Sequence, residues 1–177
     1  PPHLRHDLSR QAKLLAGQDK RQYVRWLPPG NYHMTLVFLG DVDIAKVSSL
    51  QFKLEQKLES VKAVPYKVTA ITPFPFSRPK IAAALLECTG ELLQLQTDVT
   101  NCVRSCGISI KRRRFIPHLT LGRLKPHAWK SVDFQTQNIF FSGVLDAVKL
   151  YQSELTPNGA IYTALVEIPL RILTDSK

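Results

Sequence analysis

One four-residue pattern occurs twice in this chain of 177 residues, and no other feature constrains the fold as strongly. Residues 33–36 read His-Met-Thr-Leu and residues 118–121 read His-Leu-Thr-Leu. Two accidental matches to His-x-Thr-Leu are expected on the order of once in a thousand sequences of this composition. The copies lie roughly half a chain length apart, which is the separation that a duplicated lobe gives.

The spacing within each copy places an imidazole beside a hydroxyl. Residues i and i+2 of a β-strand point to the same face, about 6.5–7 Å apart. We therefore expect His33 and Thr35 to share one strand face, with the neighbouring apolar residues on the other. The same holds for His118 and Thr120. Two such strands facing one cleft would flank a small anion with two imidazoles and two hydroxyls.

Such a pair of imidazoles suits cleavage of a phosphodiester without a metal ion. One ring takes a proton from the attacking water, and the other, already protonated, gives a proton to the leaving oxygen. Imidazole titrates near pH 6.5, so both forms are available at cellular pH. The threonine hydroxyls would donate to phosphate oxygens as negative charge builds on them.

Two other interpretations of the histidine pair are open. A single histidine on a strand is more often structural, although the symmetric repetition with threonine argues against that interpretation here. The pair could instead ligate zinc, but a catalytic zinc site usually has a third protein ligand. Asp41 and Glu154 are loose candidates for that third ligand. We expect neither a metal nor a cofactor.

Composition narrows the class of protein and its partners. Hydrophobic residues make up 44% and charged residues 21% of the chain, which excludes a disordered tail, a collagen-like fibre and a disulfide scaffold. The net charge of +10 favours polyanionic partners, with nucleic acid first. No apolar run approaches the roughly 18 residues needed to span a bilayer, and no signal peptide is recognisable. We expect a cytoplasmic monomer without a membrane partner.

Helical and strand periodicities alternate along the chain. The spacing of apolar residues predicts helices over residues 3–17, 42–60 and 91–106. Strands are predicted over residues 32–39, 64–72, 81–87, 117–124, 139–141, 147–154 and 160–168. Turn-forming residues at 156–159 predict a hairpin between the last two strands. The expected class is α+β with mainly antiparallel sheets.

Around the two motifs the chain resembles the two-histidine phosphoesterases. Within that superfamily it is similar to the bacterial and archaeal RNA 2′,3′-cyclic phosphodiesterases, also called 2′-5′ RNA ligases or LigT-like proteins. The matching stretches are residues 24–40, 114–123 and 150–162. The order and spacing of the family pattern fit from about residue 1 to 170. Family members usually open with an apolar strand, and we expect the numbering of this chain to start after it.

The resemblance implies a fold, a reaction and a set of roles. The fold would be one bilobal domain over residues 1–177, with two pseudo-symmetric antiparallel sheets, outer helices and a central cleft. The reaction would be hydrolysis of an RNA 2′,3′-cyclic phosphate end to a 2′-phosphomonoester. By the family pattern, His33 would donate a proton to the leaving 3′ oxygen, His118 would activate water, and Thr35 and Thr120 would hold the phosphate. The residues alone leave the donor and acceptor order open, because both imidazoles start alike.

The ligase name of the family implies a reverse reaction. The sequence contains no glycine-rich phosphate loop for ATP. Joining of RNA would therefore have to reverse the ring opening, with a 5′-hydroxyl in place of water.

Further residues are candidates for contacts with RNA. Arg123 is a candidate phosphate ligand, but on a regular strand it falls on the face opposite to His118, so contact would need a bend at Gly122. Phe76 is a candidate to stack on a base, ahead of three other aromatic residues, Trp26, Tyr32 and Phe74. The basic run at residues 111–114 would either follow an RNA backbone or form a solvated loop.

Three alternative functions are compatible with the same motifs. The chain could be a non-catalytic RNA-binding module of this fold. It could also be a phosphodiesterase for small cyclic nucleotides or for 2′-5′-linked oligonucleotides. Substitution of the histidines separates the first alternative from an enzyme, and a panel of substrates separates the others.

Overall fold

The computed structural model describes residues 1–126, 128, 135–156 and 159–172, and within them it contains helices and strands. The helices are α1 (Pro2–Gln18), the short 3-10 helix η1 (Pro29–Asn31), α2 (Ile44–Leu58) and α3 (Gly90–Ser105). The strands are β1 (Val24–Trp26), β2 (Val64–Phe74), β3 (Ile81–Leu86), β4 (His118–Leu124), β5 (Gln137–Leu145), β6 (Ala147–Thr156) and β7 (Gly159–Pro169). None of the described helices is both long and apolar enough to cross a membrane.

The strands form two sheets. A five-stranded sheet has the order β1-β4-β3-β2-β5, and a two-stranded sheet pairs β6 with β7. The β1–β4, β4–β3, β3–β2 and β6–β7 pairs are antiparallel. The expected α+β class with antiparallel sheets is therefore confirmed. The hairpin between β6 and β7 is confirmed by the pairing of Thr156 with Gly159, whereas the two turn residues between them lie outside the described residues.

The chain divides into two compact units, each assembled from three separate stretches of sequence. The first unit comprises residues 1–35, 66–88 and 116–143. The second unit comprises residues 36–65, residues 89–115 and the part of the chain from residue 144 onward. Both histidine–threonine pairs therefore belong to the first unit. The two copies of the motif are therefore not divided between the two units, one in each.

Helix α1 anchors the first unit. Its buried residues recur at three- and four-residue steps, as a helix packed on one side requires: Leu4, Leu8, Ala12 and Leu15. The carboxylate of Asp19, just beyond the helix, accepts hydrogen bonds from the backbone N–H groups of Tyr23 at 2.9 Å and Val24 at 2.8 Å. This carboxylate links the end of α1 to the start of β1, which is one of the two edge strands of the five-stranded sheet.

The second unit combines α2 and α3 with the β6–β7 hairpin. Asp43 caps α2 by accepting from the backbone N–H of Ala45 at 2.9 Å, and Thr89 caps α3 by accepting from that of Leu92 at 3.3 Å. Lys53 of α2 donates to the carbonyl of Ser105 at 2.8 Å, at the C-terminus of α3. A cation is favourable there because the last carbonyls of a helix carry partial negative charge.

The strand expected over residues 32–39 is wrong. This stretch contains a single antiparallel bridge, between Met34 and Leu119 of β4. Further on, the carbonyl of Leu36 accepts a hydrogen bond from the side chain of Gln96 at 3.4 Å. Apolar residues alternate in this stretch as they do in a strand. The backbone carbonyl of Leu36, however, bonds to a side-chain amide and not to a neighbouring strand.

Candidate active site

The His33 ring is held by the turn that precedes it. Residues 28–31 contain two prolines and a glycine, and the last three of them form the 3-10 turn η1. The ring Nδ1 of His33 donates to the carbonyl of Asn31 at 2.8 Å. A carbonyl oxygen only accepts, so Nδ1 carries the hydrogen and Nε2 is the atom whose protonation changes.

The His118 ring is held in the same way at the start of β4. Its Nδ1 donates to the carbonyl of Ile116 at 2.7 Å. Again the acceptor is the carbonyl two residues earlier, and again Nε2 is the atom that exchanges a proton. The two copies of the motif therefore share a hydrogen bond that orients the ring and fixes its tautomer.

The bridge between Met34 and Leu119 sets the register of the two motifs. Residues opposite each other in an antiparallel pair point to the same face, and their neighbours point to the other. One step along each chain, His33 lies opposite Thr120, and Thr35 lies opposite His118. All four side chains therefore project from one face, away from the buried Leu119. In a regular ladder the two histidines, as diagonal neighbours, would be about 7–8 Å apart.

A β-bulge in β4 brings Arg123 to this same face. Thr120 pairs with Ala83 and Gly122 with Ala82, so Leu121 is an extra residue in β4. Beyond the bulge the alternation is shifted by one residue, and Arg123 lies on the face of His118 and Thr120. On a regular strand Arg123 would lie on the face opposite to His118, and this placement is wrong because β4 is not regular. The sequence required a bend at Gly122 for contact with a phosphate, and the structure has a bulge one residue earlier, at Leu121. The burial pattern agrees, since Leu121 and Gly122 are buried and Arg123 is exposed.

Gly122 fits this position because β1 approaches it closely. A Cβ atom there would overlap the side chain of Val24 and lie 3.3 Å from the carbonyl oxygen of Arg25. The absence of a side chain allows β1 to pair with β4 directly beside the bulge.

Burial and nearby positive charges act on the pKa of His33. Burial lowers the pKa of His33, and the hydrogen bond to the Asn31 carbonyl partly opposes that shift. The positive charges of Arg5, Arg123 and His118 each lower the pKa further, with Arg5 acting most strongly of the three. Burial and these charges therefore favour the neutral form of the ring.

Two phenylalanines extend the site from the end of β2. The ring of Phe74 lies against the His118 ring, with 5.0 Å between centroids and 39° between planes. Phe76 meets Phe74 edge to face at 5.7 Å and is 69% exposed. Phe76 thus offers an open aromatic surface. Tyr32, the weaker candidate, is buried with 3% of its surface exposed, and burial raises the pKa of its hydroxyl.

Sequence patterns did not identify Arg5 or the contact of Phe74 with His118. Arg5 lies outside both motifs, on a helix that is distant in sequence from them. The run at residues 111–114 is exposed and belongs to the second unit. Among the described residues, no three potential metal ligands come together.

Comparison with known proteins identifies the family. The family model for LigT like phosphoesterases matches residues 1–82 and 86–162. An RNA 2′,3′-cyclic phosphodiesterase of Thermotoga maritima is 31% identical over 149 residues, which cover 80% of this chain and 77% of that protein. One of Aquifex aeolicus is 30% identical over 156 residues, which cover 82% and 81%.

Solved structures share the fold at low identity. The protein TT0787 of Thermus thermophilus has a TM-score of 0.82 at 22% identity, over 97% of this chain and 93% of its own. LigT of E. coli, in complex with 3′-AMP, has a TM-score of 0.72 at 22% identity, over 96% and 92%. By sequence and by fold, this chain belongs to the LigT-like phosphoesterase family.

Proposed function

We propose that this protein hydrolyses the 2′,3′-cyclic phosphate end of RNA to a 2′-phosphomonoester, by acid–base catalysis that needs no metal ion. The observation that carries the proposal is the matched pair of imidazoles. Both rings donate through Nδ1 to the carbonyl two residues earlier, and both flank the Met34–Leu119 bridge. In each ring Nε2 is thereby the atom that transfers a proton, and the two rings share one face.

In the proposed reaction, His118 and His33 act on opposite sides of one phosphorus atom. Nε2 of His118 removes a proton from water, whose oxygen forms a bond to phosphorus. The bond from phosphorus to the 3′ oxygen breaks, and Nε2 of His33 gives its proton to that oxygen. The product carries a 2′-phosphate and a 3′-hydroxyl, and each proton transfer contributes about 10²–10⁴ in rate.

Thr35, Thr120 and Arg123 hold the phosphate in this proposal. The two hydroxyls share the face of the histidines, and the bulge adds the guanidinium of Arg123. Charge builds on the nonbridging oxygens as water attacks, so donors fixed beforehand stabilise the transition state more than the substrate.

Several observations favour RNA as the substrate. The Thermotoga maritima and Aquifex aeolicus relatives are RNA 2′,3′-cyclic phosphodiesterases, and the chain carries a net charge of +10. We assign base stacking to Phe76, because its exposed ring is braced by Phe74, which in turn contacts His118. Stacking on an aromatic ring accepts any base. Ligation would be the reverse reaction, with a 5′-hydroxyl attacking the cyclic phosphate.

The test is incubation of a 2′,3′-cyclic-ended oligoribonucleotide with the protein in EDTA, with the product read by ³¹P NMR. The proposal predicts a 2′-phosphate at an undiminished rate. A 3′-phosphate product would contradict the assigned bond cleavage, and loss of turnover in EDTA would contradict the metal-free mechanism.

A parallel panel separates the alternatives. Faster turnover of small cyclic nucleotides or of 2′-5′-linked oligonucleotides would replace the assigned substrate. Binding of the cyclic-ended RNA without any turnover would favour the non-catalytic module.

A further inference from the structure

Basic side chains continue the catalytic face along β1 and β4, toward the end of the five-stranded sheet. Arg25 of β1 is paired with Arg123 of β4. Residues paired in this way project to the same face, with Cβ atoms about 4.5–5.5 Å apart. Because Arg123 lies on the face of His118 and Thr120, Arg25 lies on that face as well. Both arginines are exposed.

The pairing continues beyond β4 and adds further cations. The backbone N–H of Lys125 donates to the carbonyl of Tyr23 at 2.8 Å, so these two residues lie opposite each other in the same register. Lys125 follows Arg123, and Tyr23 precedes Arg25, at the alternate position that shares a strand face. Nη1 of Arg21 donates to the Tyr23 hydroxyl at 3.3 Å, which places its guanidinium at the same end. Together Arg21, Tyr23, Arg25 and Lys125 form a basic row.

No described carboxylate of the first unit neutralises this row. Arg25 and Lys125 take part in none of the ion pairs within the described part of the chain. Asp7 and Glu87 each form an ion pair with another side chain, and Asp19 accepts from two backbone N–H groups. Like charges directly opposite each other are destabilising, so an anion that contacts both opposed guanidinium groups stabilises the pair.

The row has the composition and spacing that suit a single strand of nucleic acid. Alternate residues of a strand are about 6.5–7 Å apart, so the cations recur at an interval similar to that between phosphates of an extended chain. Guanidinium groups match the geometry of phosphate oxygens. The half-buried Tyr23 lies among these cations, and sites for single strands combine a cationic path with aromatic rings on which bases stack.

The row leaves the site on the side away from the proposed stacking position of the terminal base. That base is assigned to Phe76, which follows the end of β2. In the sheet, β1 and β2 lie on opposite sides of β4. The row is therefore available to the nucleotides that precede the terminal one.

We propose that the basic row binds the nucleotides that precede the cyclic end, so that the protein acts on oligoribonucleotides in preference to cyclic mononucleotides. This inference rests on the proposed function. Arg21, Arg25 and Lys125 bind the phosphates of that segment, and Tyr23 stacks on one of its bases. These contacts lie outside the reacting group, so they add binding energy that only a longer substrate can use.

The test is a series of 2′,3′-cyclic-ended substrates, from the mononucleotide to the hexanucleotide, assayed at one salt concentration. For the unmodified protein, kcat/KM should rise by about tenfold or more along the series. In Arg25→Gln and in Lys125→Gln this rise should shrink by about threefold or more. The matched controls are Arg10→Gln and Lys13→Gln, at exposed positions of α1, and they should keep the full rise.

Salt dependence is the second measurement. The logarithm of kcat/KM for the hexanucleotide should fall linearly with the logarithm of the salt concentration. Each phosphate contact that a substitution removes should reduce that slope by about 0.7. Fluorescence anisotropy of the hexanucleotide with His118→Ala gives the same comparisons for binding without turnover.

Equal kcat/KM values along the series in the unmodified protein would overturn the inference, whether or not the variants fold. An equal loss for the mononucleotide and the hexanucleotide in Arg25→Gln and Lys125→Gln would also overturn it, because these residues would then act on the reacting phosphate or on the fold. The same shrinkage in the α1 controls would contradict a defined row. If the unmodified protein turned over none of the substrates, the proposed function would be wrong, and the binding measurements would still decide on the row.

Discussion

The two histidine segments carry the same motif on different scaffolds. His118 opens β4, a strand that is paired on both sides and bulged at Leu121. Strand β1 and Met34 lie along one edge of β4, and β3 lies along the other. His33 follows a 3-10 turn, and its segment touches β4 through one bridge only. Yet each ring donates through Nδ1 to the carbonyl two residues earlier, at 2.8 Å and 2.7 Å.

This difference shows what the motif requires. The i to i−2 hydrogen bond orients the ring, and the i, i+2 spacing places a threonine on the same face. Neither requirement needs a complete strand. The surroundings then differentiate the rings, since His33 lies among positive charges and His118 lies against Phe74.

The largest expected effect comes from removing either ring. His33→Ala and His118→Ala should each lower kcat on a cyclic-ended RNA by at least about 10², because each removes one proton transfer. Steady-state kinetics measure the loss, and His6→Ala, an exposed position on α1, is the control. If kcat fell in only one of the two variants, the two histidine segments would not be functionally equivalent.

Substitution of the two threonines tests whether the hydroxyls of the two segments are also functionally equivalent. Thr35→Val and Thr120→Val keep the shape and remove the donor. We expect each substitution to lower kcat by a factor of about 10–10². Removal of one donor from an oxyanion hole typically lowers kcat by about 10²–10³, so the expected loss lies at the lower end of that range or just below it. A lower kcat with unchanged KM indicates a contact made in the transition state. Unchanged kcat in both variants would contradict their assignment to the phosphate.

Substitution of Arg123 tests whether nearby positive charge makes the His33 ring differ from the His118 ring. Its positive charge lowers the pKa of His33, so Arg123→Gln should raise that pKa. With His33 as the required acid, the pH of maximal kcat/KM then moves to higher values, while the maximum itself falls roughly tenfold through loss of a phosphate contact. NMR titration of the His33 ring measures the shift directly. A pKa that stays constant or falls would contradict the placement of Arg123 on the catalytic face.

The smallest expected effect is at Phe74, whose ring contacts the ring of His118. Phe74→Leu keeps apolar bulk but removes the ring contact, which is worth about 0.5–1.5 kcal/mol in aromatic pairs. We expect kcat/KM to fall by about 2- to 10-fold. Phe52→Leu, an exposed phenylalanine of the second unit, serves as the control. Equal effects of the two substitutions would argue against a specific role for Phe74.

The sequence predicted those parts of the structure that depend on local periodicity. The helix predicted over residues 3–17 is observed as Pro2–Gln18, because its leucines recur at helical steps. The strand that starts near His118 and the β6–β7 hairpin were predicted for similar local reasons. The candidate residues of both motifs were found because the same spacing occurs twice.

The features that the sequence did not predict depend on tertiary neighbours. Apolar and polar residues alternate over residues 32–39 as in a strand, but a strand forms only where a neighbouring strand pairs with it. Here β4 pairs with Met34 alone, through Leu119. The face of Arg123 depends on a bulge that is defined by pairing with β3. Helix α1, which carries Arg5, packs against η1, and this packing leaves no short-range pattern in the sequence.

The most direct test of the central claim is the pH profile of kcat/KM for the unmodified protein and the two histidine variants. An acid and a base acting on one phosphorus predict a bell-shaped profile. His33→Ala should lose the decline at high pH, because the proton donor is gone, and His118→Ala should lose the decline at low pH, because the proton acceptor is gone. Profiles in which both variants keep both declines would contradict the assignment of these imidazoles as the acid and the base.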